Sequence, residues 1–127
     1  YGEKSRIDFL LHTPGQPDVY IEVKSVTLSR TKGLAEFPDS VTARGTKHLH
    51  ELARVAQSGQ RAVMLYLIQR TDCFAFTLAA DIDPIYASAW GAATQDGVET
   101  LAFDCNITPE AVTLGEHVTV TPPVATN

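Results

Sequence analysis

Three side chains near the start of the sequence have the types and the spacing to act together on a phosphate ester. Asp8 comes first, and Glu22 and Lys24 follow two residues apart from each other. Mg²⁺ prefers oxygen ligands and is held by one or two carboxylates together with water and substrate phosphate. The cation makes bound water a better nucleophile, and a nearby lysine can orient that water or stabilise the developing anion. These residues therefore indicate metal-assisted hydrolysis of a phosphodiester as a candidate chemistry.

Two predicted strands must bring these side chains together. Residues 18–26 alternate apolar and polar side chains, which is typical of a half-buried strand and puts Glu22 and Lys24 on one face. Residues 6–11 predict a second strand that carries Asp8, and the turn formers between the two strands predict antiparallel pairing. The strand register decides whether Asp8 lies next to Glu22, and the sequence leaves it open. A solvated ion pair between Glu22 and Lys24 is the plain structural alternative.

Longer stretches of the chain resemble a known family. Asp8 followed by Glu22-Val23-Lys24 resembles the PD-(D/E)xK nuclease motif, although Arg6-Ile7-Asp8 lacks the proline. Five blocks in the same order resemble the sugar fermentation stimulation protein A (SfsA) family along nearly the whole chain: residues 5–8, 21–28, 37–49, 69–72 and 82–86. The resemblance implies an α/β fold of the restriction-endonuclease-like type, with a mixed β-sheet flanked by helices.

The resemblance also implies a domain organisation. The family is similar to DNA-binding proteins that combine an N-terminal OB-like domain with a C-terminal nuclease-like domain. We expect this chain to hold only the second domain, over residues 1–121, and residues 122–127 to form a disordered tail. The first residue is not methionine, so we expect a domain cut from a longer product, with processing of the chain as the alternative.

Two functions follow from the resemblance. The first is a metal-dependent phosphodiesterase (nuclease) with Mg²⁺ or Mn²⁺ as its cofactor and DNA as its expected partner, in which Asp8, Glu22 and Lys24 are catalytic. Asp8 and Glu22 would bind the metal, and Glu3 is either a third carboxylate ligand or an exposed surface acid. The second is a non-cleaving DNA-binding regulator of sugar (maltose-type) metabolism. A protein-interaction surface without nucleic acid is a third hypothesis for the basic half of the chain.

Six basic residues are candidate contacts for a nucleic-acid backbone. They are Arg6, Arg30, Lys32, Arg44, Lys47 and His48. Arg6 either contacts a phosphate or forms a salt bridge with Asp8. The next two lie in residues 28–39, which we interpret as a mobile loop that clamps the backbone or as a solvated loop. The last three lie on a helix predicted from Asp39 or Thr42 to Gln57, whose charged flank is an ordinary surface unless the family resemblance applies.

The rest of the chain predicts a packed α/β core. Residues 62–68 are continuously apolar, which indicates a central strand reached by a right-handed parallel crossover. Arg70 and Asp72 follow that strand, either as a paired exit turn, which we favour, or as ligand contacts at the strand end. Later residues predict four more elements: a helix from Pro84 to Gly97, a buried strand over 98–103, a short turn of helix at 108–111 and an edge strand at 117–120.

Composition and charge limit the classes of function. The chain has 127 residues, of which 44% are hydrophobic, and these values fit one globular domain. Its net charge of −5 divides unevenly, because residues up to Arg70 carry +3 and the remainder carries −8. A basic face can therefore coexist with an acidic overall charge. No apolar run is long enough to span a bilayer, and two isolated cysteines predict a reduced, cytoplasmic protein without a membrane partner. The oligomeric state stays open.

Overall fold

Residues 7–123 are the part of the chain that this computed structural model describes, and they form nine strands and two helices. In chain order the elements are β1 (Phe9–Leu11), β2 (Val19–Val26), β3 (Leu28–Thr31), β4 (Leu34–Phe37), α1 (Ala43–Gln57), β5 (Arg61–Ile68), β6 (Ala75–Leu78), α2 (Pro84–Gln95), β7 (Glu99–Ile107), β8 (Val112–His117) and β9 (Thr119–Val120). One sheet has the order β1-β2-β5-β7-β8 and the other the order β3-β4-β6-β9. Both sheets mix parallel and antiparallel neighbours, so the predicted α/β class with mixed sheets is confirmed.

The first two strands pair antiparallel, as predicted, and their register brings Asp8 to Glu22. Phe9 pairs with Ile21, so the residue before Phe9 lies opposite the residue after Ile21. The strand itself begins at Phe9, and Asp8 lies in the bend just before it. The part of the predicted strand that includes Arg6 lies outside the described residues.

Strand β5 is the central strand that the apolar run predicts. It pairs in parallel with β2 on one side and with β7 on the other. Glu22 is opposite Met64, and Lys24 is opposite Tyr66. Residues at matched positions of neighbouring strands project from the same face, so the two charged side chains share a face with two residues that are fully buried.

Helix α1 covers this face of the sheet, and its bounds confirm the prediction. Thr42 is the N-cap, and its side chain accepts a hydrogen bond of 3.0 Å from the Gly45 amide. Leu49 and Leu52 are fully buried at helical spacing. The helix packs against β5, β2 and α2. The polar residues of α1 that border the leucine stripe therefore lie against the sheet.

The prediction of a mobile loop at residues 28–39 is wrong. Strands β3 and β4 form a hairpin, with Lys32 and Gly33 as its two-residue turn. Gly33 has a φ of +79°, in the region that tight hairpin turns need and glycine adopts at low cost. Strand β4 then pairs in parallel with β6, a strand that the sequence analysis did not predict. The available hairpin signal was Gly33 at a two-residue connection between two short segments.

Two predictions near the end of the chain are also wrong. Residues 108–111 do not form a turn of helix, because the Thr108 amide donates to the Ala111 carbonyl, at 2.9 Å, across the turn between β7 and β8. Proline in this segment suits such a turn as well as it suits a helix start. The single edge strand predicted at 117–120 is two strands, since β8 ends at His117 and β9 begins at Thr119. Residues 124–127 of the predicted tail lie outside the described residues.

Other predicted elements are confirmed. Asp83 caps α2 by accepting a hydrogen bond of 3.0 Å from the Tyr86 amide. Arg70 and Asp72 form the predicted ion pair after β5, with 2.7 Å between Nη2 and Oδ2. The strand predicted at 98–103 is the first part of β7, but it is only partly buried, since Leu101 is exposed. Among the elements of residues 7–123, neither helix has the length and the apolar character to cross a membrane.

Gly45 allows α1 and α2 to approach each other, and its replacement tests this packing. A Cβ at Gly45 would lie 2.9 Å from the Thr42 side chain and 3.0 Å from Tyr86. Alanine gains about 1 kcal/mol of helix propensity, but the overlap costs about 1–3 kcal/mol. We expect Gly45→Ala to lower the free energy of unfolding by about 1 kcal/mol in urea denaturation.

Gly91→Ala is the matched control for this prediction. Gly91 lies in the interior of α2, and a Cβ there would meet nothing within 4 Å. This substitution should therefore raise the free energy of unfolding by about 0.5–1 kcal/mol. Equal effects of the two substitutions would contradict the close approach of the helices at Gly45.

Candidate active site

Asp8 precedes β1 and lies across from Glu22 of β2, close enough for its charge to act on the Glu22 carboxyl. Asp8 Oδ2 accepts a hydrogen bond from the Val23 amide, with 2.8 Å between the two atoms. This bond holds the Asp8 carboxylate against the strand that carries Glu22. Asp8 is exposed, whereas Glu22 is only 3% exposed. Asp8 therefore lies at the protein surface, and Glu22 lies in the space beneath α1.

Lys24 and His48 complete a polar cluster around Glu22. Lys24 Nζ lies 2.8 Å from His48 Nδ1 and 4.0 Å from Glu22 Oε1. His48 Nδ1 lies 3.0 Å from the same glutamate oxygen. Because His48 comes from the second turn of α1, the arrangement depends on the packing of that helix over β2. We call Asp8, Glu22, Lys24 and His48 the carboxylate–lysine cluster.

His48 Nδ1 can either accept a hydrogen bond from Lys24 or donate one to Glu22, but it cannot do both at once. A ring nitrogen either carries a proton and donates or lacks one and accepts. An ammonium at Lys24 donates to an unprotonated Nδ1, and the contact with Glu22 is then a hydrogen bond only if the carboxyl carries a proton. A protonated Nδ1 instead donates to Glu22 Oε1. The cluster therefore has two hydrogen-bonding arrangements that differ in the place of one proton.

Burial shifts the pKa values in the cluster towards the uncharged forms. The pKa of Glu22 is raised by burial and by the charge of Asp8, although Lys24 opposes the shift. Burial lowers the pKa of Lys24 against the attraction of Glu22. Burial, and then the charges of Lys24 and Arg44, lower the pKa of His48. A neutral imidazole is therefore the favoured form of His48 at neutral pH.

The donor atoms of the cluster fit a hard divalent cation. Glu22 Oε2 is buried and has no hydrogen-bond partner among residues 7–123, so a carboxylate oxygen is available to a ligand. Asp8 adds a second carboxylate, and Mg²⁺ needs only one or two because it keeps several waters. The described part of the chain contains no group of three His, Cys, Asp or Glu side chains that could hold a metal. The fit is to a cation with two carboxylate ligands, and not to an all-protein cage.

Basic residues of α1 lie beside the cluster. Arg44 is exposed, and its charge acts on Glu22, Lys24 and His48. Lys47 is also exposed, and its Nζ lies 3.9 Å from Glu51 Oε1. A positively charged helix face next to two carboxylates suits an anionic ligand that is shared with a cation.

Comparison with known proteins identifies the family. A family model described as "Sugar fermentation stimulation protein RE domain" matches residues 1–111. This chain belongs to the SfsA family. Proteins named sugar fermentation stimulation protein homolog share 67% identity with it over 112 residues in Roseobacter denitrificans and 55% over 118 residues in Agrobacterium fabrum. These matches cover 88% and 93% of this chain but 48% and 49% of the relatives, so the chain spans about half the length of the curated relatives it matches.

A solved structure of an SfsA protein has the same fold. The structure of Pyrococcus furiosus SfsA in complex with Ca²⁺ matches this chain with a TM-score of 0.83 and 26% sequence identity. The match covers 93% of this chain and 51% of that chain. The predicted membership of the SfsA family is thereby confirmed, and so is the predicted fold class.

The SfsA-family fold brings together four of the predicted site residues. These are Asp8, Glu22, Lys24 and His48. His48 was predicted to lie on a charged flank of the helix, but it is only 4% exposed and lies inside the cluster. Its predicted contact with nucleic acid stays a prediction. Glu3 and Arg6, predicted as a metal ligand and a phosphate contact, lie outside the described residues.

Arg30 and Lys32 belong to the β3–β4 hairpin of the other sheet. Arg30 donates four hydrogen bonds of 2.6 to 3.0 Å to the carboxylates of Glu36 and Asp81. Its guanidinium holds the pKa of Asp81 at about 2. Arg30 is therefore already paired with two acids. Lys32 is exposed at the hairpin turn. Their predicted contact with nucleic acid stays a prediction.

One buried acid next to the cluster, Glu51, was not predicted as a site residue. Glu51 is 2% exposed on α1, and its charge acts on the His48 ring. The available signal was its position directly before Leu52, just as His48 directly precedes Leu49. Both polar residues therefore border the apolar stripe that α1 turns towards the sheet.

The raised pKa of Glu22 predicts a pH-dependent cost of burying its charge. A carboxyl with a higher pKa in the folded state binds its proton more tightly there, so its contribution to stability is lost as the pH rises from the ordinary value of 4.5 through the folded value. Glu22→Gln removes this cost. We expect the variant to exceed the wild type in free energy of unfolding by about 0.5–2 kcal/mol at alkaline pH, and the excess to shrink in acid.

Glu99→Gln is a control with the opposite sign. Hydrogen bonds from Arg61 lower the pKa of Glu99, so the stability that this carboxylate contributes is lost as the pH falls. The control should lose a small amount of stability at alkaline pH, since exposed ion pairs contribute little. Urea denaturation across pH measures both variants. A Glu22→Gln variant less stable than the wild type at alkaline pH would contradict the cost of the buried charge.

Proposed function

We propose that this chain is a metal-dependent phosphodiester hydrolase domain that acts on nucleic acid, with DNA as its expected substrate. The observation that carries the proposal is the grouping of Asp8, Glu22 and Lys24 at the start of β1 and the middle of β2. One buried oxygen of Glu22 has no partner within residues 7–123. A buried polar atom of this kind costs free energy unless a ligand satisfies it. A bound cation is the ligand that two neighbouring carboxylates suit best.

Asp8 and Glu22 are the residues that would hold Mg²⁺ or Mn²⁺. When bound, such a cation lowers the pKa of its water and offsets negative charge on the phosphoryl oxygens. The SfsA protein of Pyrococcus furiosus has been solved in complex with Ca²⁺. Because Ca²⁺ and Mg²⁺ share a preference for oxygen ligands, that complex supports a hard divalent cation as a ligand of this chain.

Lys24 supplies the other part of the chemistry. Its amine lies beneath α1, where water is partly excluded and the field of a charge on a neighbouring phosphate oxygen is stronger than in bulk solvent. As an ammonium it stabilises the negative charge that develops on the phosphoryl group. Burial lowers its pKa, so it gives up a proton more readily than an exposed lysine and can orient the attacking water as an amine.

Nucleic acid is the proposed substrate class because of the charge distribution around the cluster. Arg44 and Lys47 are exposed on α1, and the charge of Arg44 acts on Glu22. All ten lysine and arginine residues lie within the first 70 positions, so a basic face can coexist with the acidic overall charge. Phosphate contacts of this kind supply affinity that falls steeply with salt.

A non-cleaving DNA-binding regulator of sugar (maltose-type) metabolism is the second candidate, and one observation favours it. The relatives that match this chain are named sugar fermentation stimulation protein homolog, a name that refers to sugar metabolism. Under this alternative the same basic face binds DNA and the cluster carries out no hydrolysis. The two candidates differ in whether the DNA length changes.

A reducing compartment suits both candidates. Cys73 and Cys105 are buried free thiols. Free thiols are common in cytoplasmic proteins, which are kept reduced, whereas disulfides are typical of oxidising compartments. We therefore propose the cytoplasm as the location of this chain.

Cleavage of a panel of single- and double-stranded DNA and RNA with Mg²⁺ or Mn²⁺ tests the proposal. We expect Glu22→Gln and Lys24→Ala each to lower the cleavage rate by about 100-fold or more, because one substitution removes a ligand charge and the other removes a charge that stabilises the transition state. Chelation of divalent cations should abolish the reaction.

Glu110→Gln is the control for these variants, since Glu110 is exposed in the turn between β7 and β8. It should cleave at the wild-type rate. Circular dichroism and thermal unfolding establish that each variant is folded. Wild-type protein that is folded and cleaves none of the panel with either cation would contradict the proposal. A salt-sensitive gel shift with unchanged DNA length would favour the second candidate.

Arg44 and Arg30 should differ in their effect on DNA binding. Each phosphate contact contributes about 0.9 to the slope of log affinity against log salt for duplex DNA. This slope is negative, and Arg44→Gln should reduce its magnitude by about 0.9, since Arg44 is exposed beside the cluster. Arg30→Gln should leave the slope unchanged, since Glu36 and Asp81 already hold the guanidinium.

Fluorescence anisotropy of a labelled duplex, titrated at several salt concentrations in a Glu22→Gln background that prevents cleavage, measures these slopes. Equal changes of slope for the two arginine variants would contradict the assignment of the basic face to α1.

A further inference from the structure

His48 holds a place in the cluster that hydrolysis by a metal and a lysine does not by itself require. Its Nδ1 lies 2.8 Å from Lys24 Nζ and 3.0 Å from Glu22 Oε1, whereas the lysine and glutamate atoms lie 4.0 Å apart. We propose that His48 is a positioning residue that keeps the Lys24 ammonium away from the Glu22 carboxylate and so leaves that carboxylate open to a divalent cation. This inference rests on the proposed function.

The separation of Lys24 and Glu22 is the observation that needs a cause. Hydrogen bonds between an ammonium and a carboxylate have heavy-atom distances of about 2.7–2.9 Å, and the attraction of a poorly solvated pair rises as the distance falls. The two residues lie two positions apart on β2 and share a face, so the long lysine side chain can reach the carboxylate. The gap of 4.0 Å therefore indicates that His48 Nδ1 holds the amine.

A lysine that closed onto Glu22 would compete with a cation for the same oxygens. An ammonium carries a positive charge and three donors, so it repels a second cation and occupies carboxylate lone pairs. An imidazole that accepts from Lys24 carries no negative charge of its own. With His48 as the partner of Lys24, the charge of Glu22 remains available to a metal ion.

The fold holds the His48 ring in this place. The residue is 4% exposed and lies next to Leu49, which is fully buried against the sheet. Gly45, one turn earlier, lets the start of α1 approach Tyr86. The imidazole therefore projects from a packed part of the helix, which is what a positioning residue needs to hold a flexible lysine.

Two amide substitutions separate a positioning role from a structural one. Asparagine places its amide near the position of Nδ1, whereas glutamine places its amide near Nε2 and is closer to histidine in size. A structural role predicts that His48→Gln is the milder change or that the two are equal, and a positioning role predicts the reverse. His48→Leu replaces the glutamine variant if that variant does not unfold cooperatively in urea.

Acetylation of Lys24 in the metal-free protein is the first readout, and it needs neither a cation nor cleavage. Only the unprotonated amine reacts, and an ion pair with Glu22 keeps the proton on it. Peptide mass spectrometry measures the rate with acetic anhydride relative to the exposed Lys32. We expect the rate at Lys24 to fall about tenfold in His48→Gln and less than about threefold in His48→Asn.

The affinity for Mn²⁺, measured by isothermal titration calorimetry, is the second readout. His48→Gln should weaken binding by about tenfold and His48→Asn by less than about threefold, since the lysine is displaced onto Glu22 only in the first variant. The double variant Lys24→Ala/His48→Gln should bind Mn²⁺ as tightly as Lys24→Ala alone, because no lysine remains to compete.

Equal or faster acetylation of Lys24 in His48→Gln overturns the proposal. It is also overturned if the double variant loses as much affinity relative to Lys24→Ala as His48→Gln loses relative to the wild type. If the wild-type protein binds no Mn²⁺ and cleaves no nucleic acid, the proposed function is rejected, but the inference about His48 is not. In that case the acetylation rates still decide whether His48 holds Lys24.

Discussion

The hydrogen bond from the Val23 amide to the Asp8 carboxylate joins the beginning of β1 to the middle of β2, and the candidate site depends on it. A shift of one residue in strand pairing would turn every side chain of β2 to the opposite face. Glu22 and Lys24 would then leave the space beneath α1. The eight paired positions between β2 and β5 prevent this. The pairing of Phe9 with Ile21 and the bond to Val23 then place Asp8 beside the strand that carries Glu22.

The groups beneath α1 are expensive to bury, which distinguishes them from the rest of the core. Tyr66 and Tyr86 are equally buried, but their hydroxyls satisfy each other through a hydrogen bond, so they cost little. Glu22 instead keeps an oxygen without a partner among the described residues, and buried charges seldom stabilise a fold. Perturbed pKa values that arise from burial and a nearby charge are typical of functional sites. The proposed cation would satisfy this buried oxygen.

Sequence reasoning succeeded where one physical signal dominated and failed where several short segments competed. The alternation in residues 18–26 and the apolar run in 62–68 predicted β2 and β5, and Thr42 and Asp83 marked the starts of both helices. The hairpin at 28–37 was missed because its strands are four residues long and owe their pairing to the turn at Gly33. The contact of His48 with Lys24 could not be predicted, since a helical pattern gives the face on which His48 lies but not its distance from a side chain on another strand.

A crystal structure of the chain soaked with Mn²⁺, with anomalous scattering measured to locate the ion, tests the central claim most directly. The account predicts one anomalous peak within a coordination distance of about 2.0–2.6 Å from carboxylate oxygens of both Asp8 and Glu22. An ion bound elsewhere in the protein, or no ion beside an ordered Asp8 and Glu22, would contradict it.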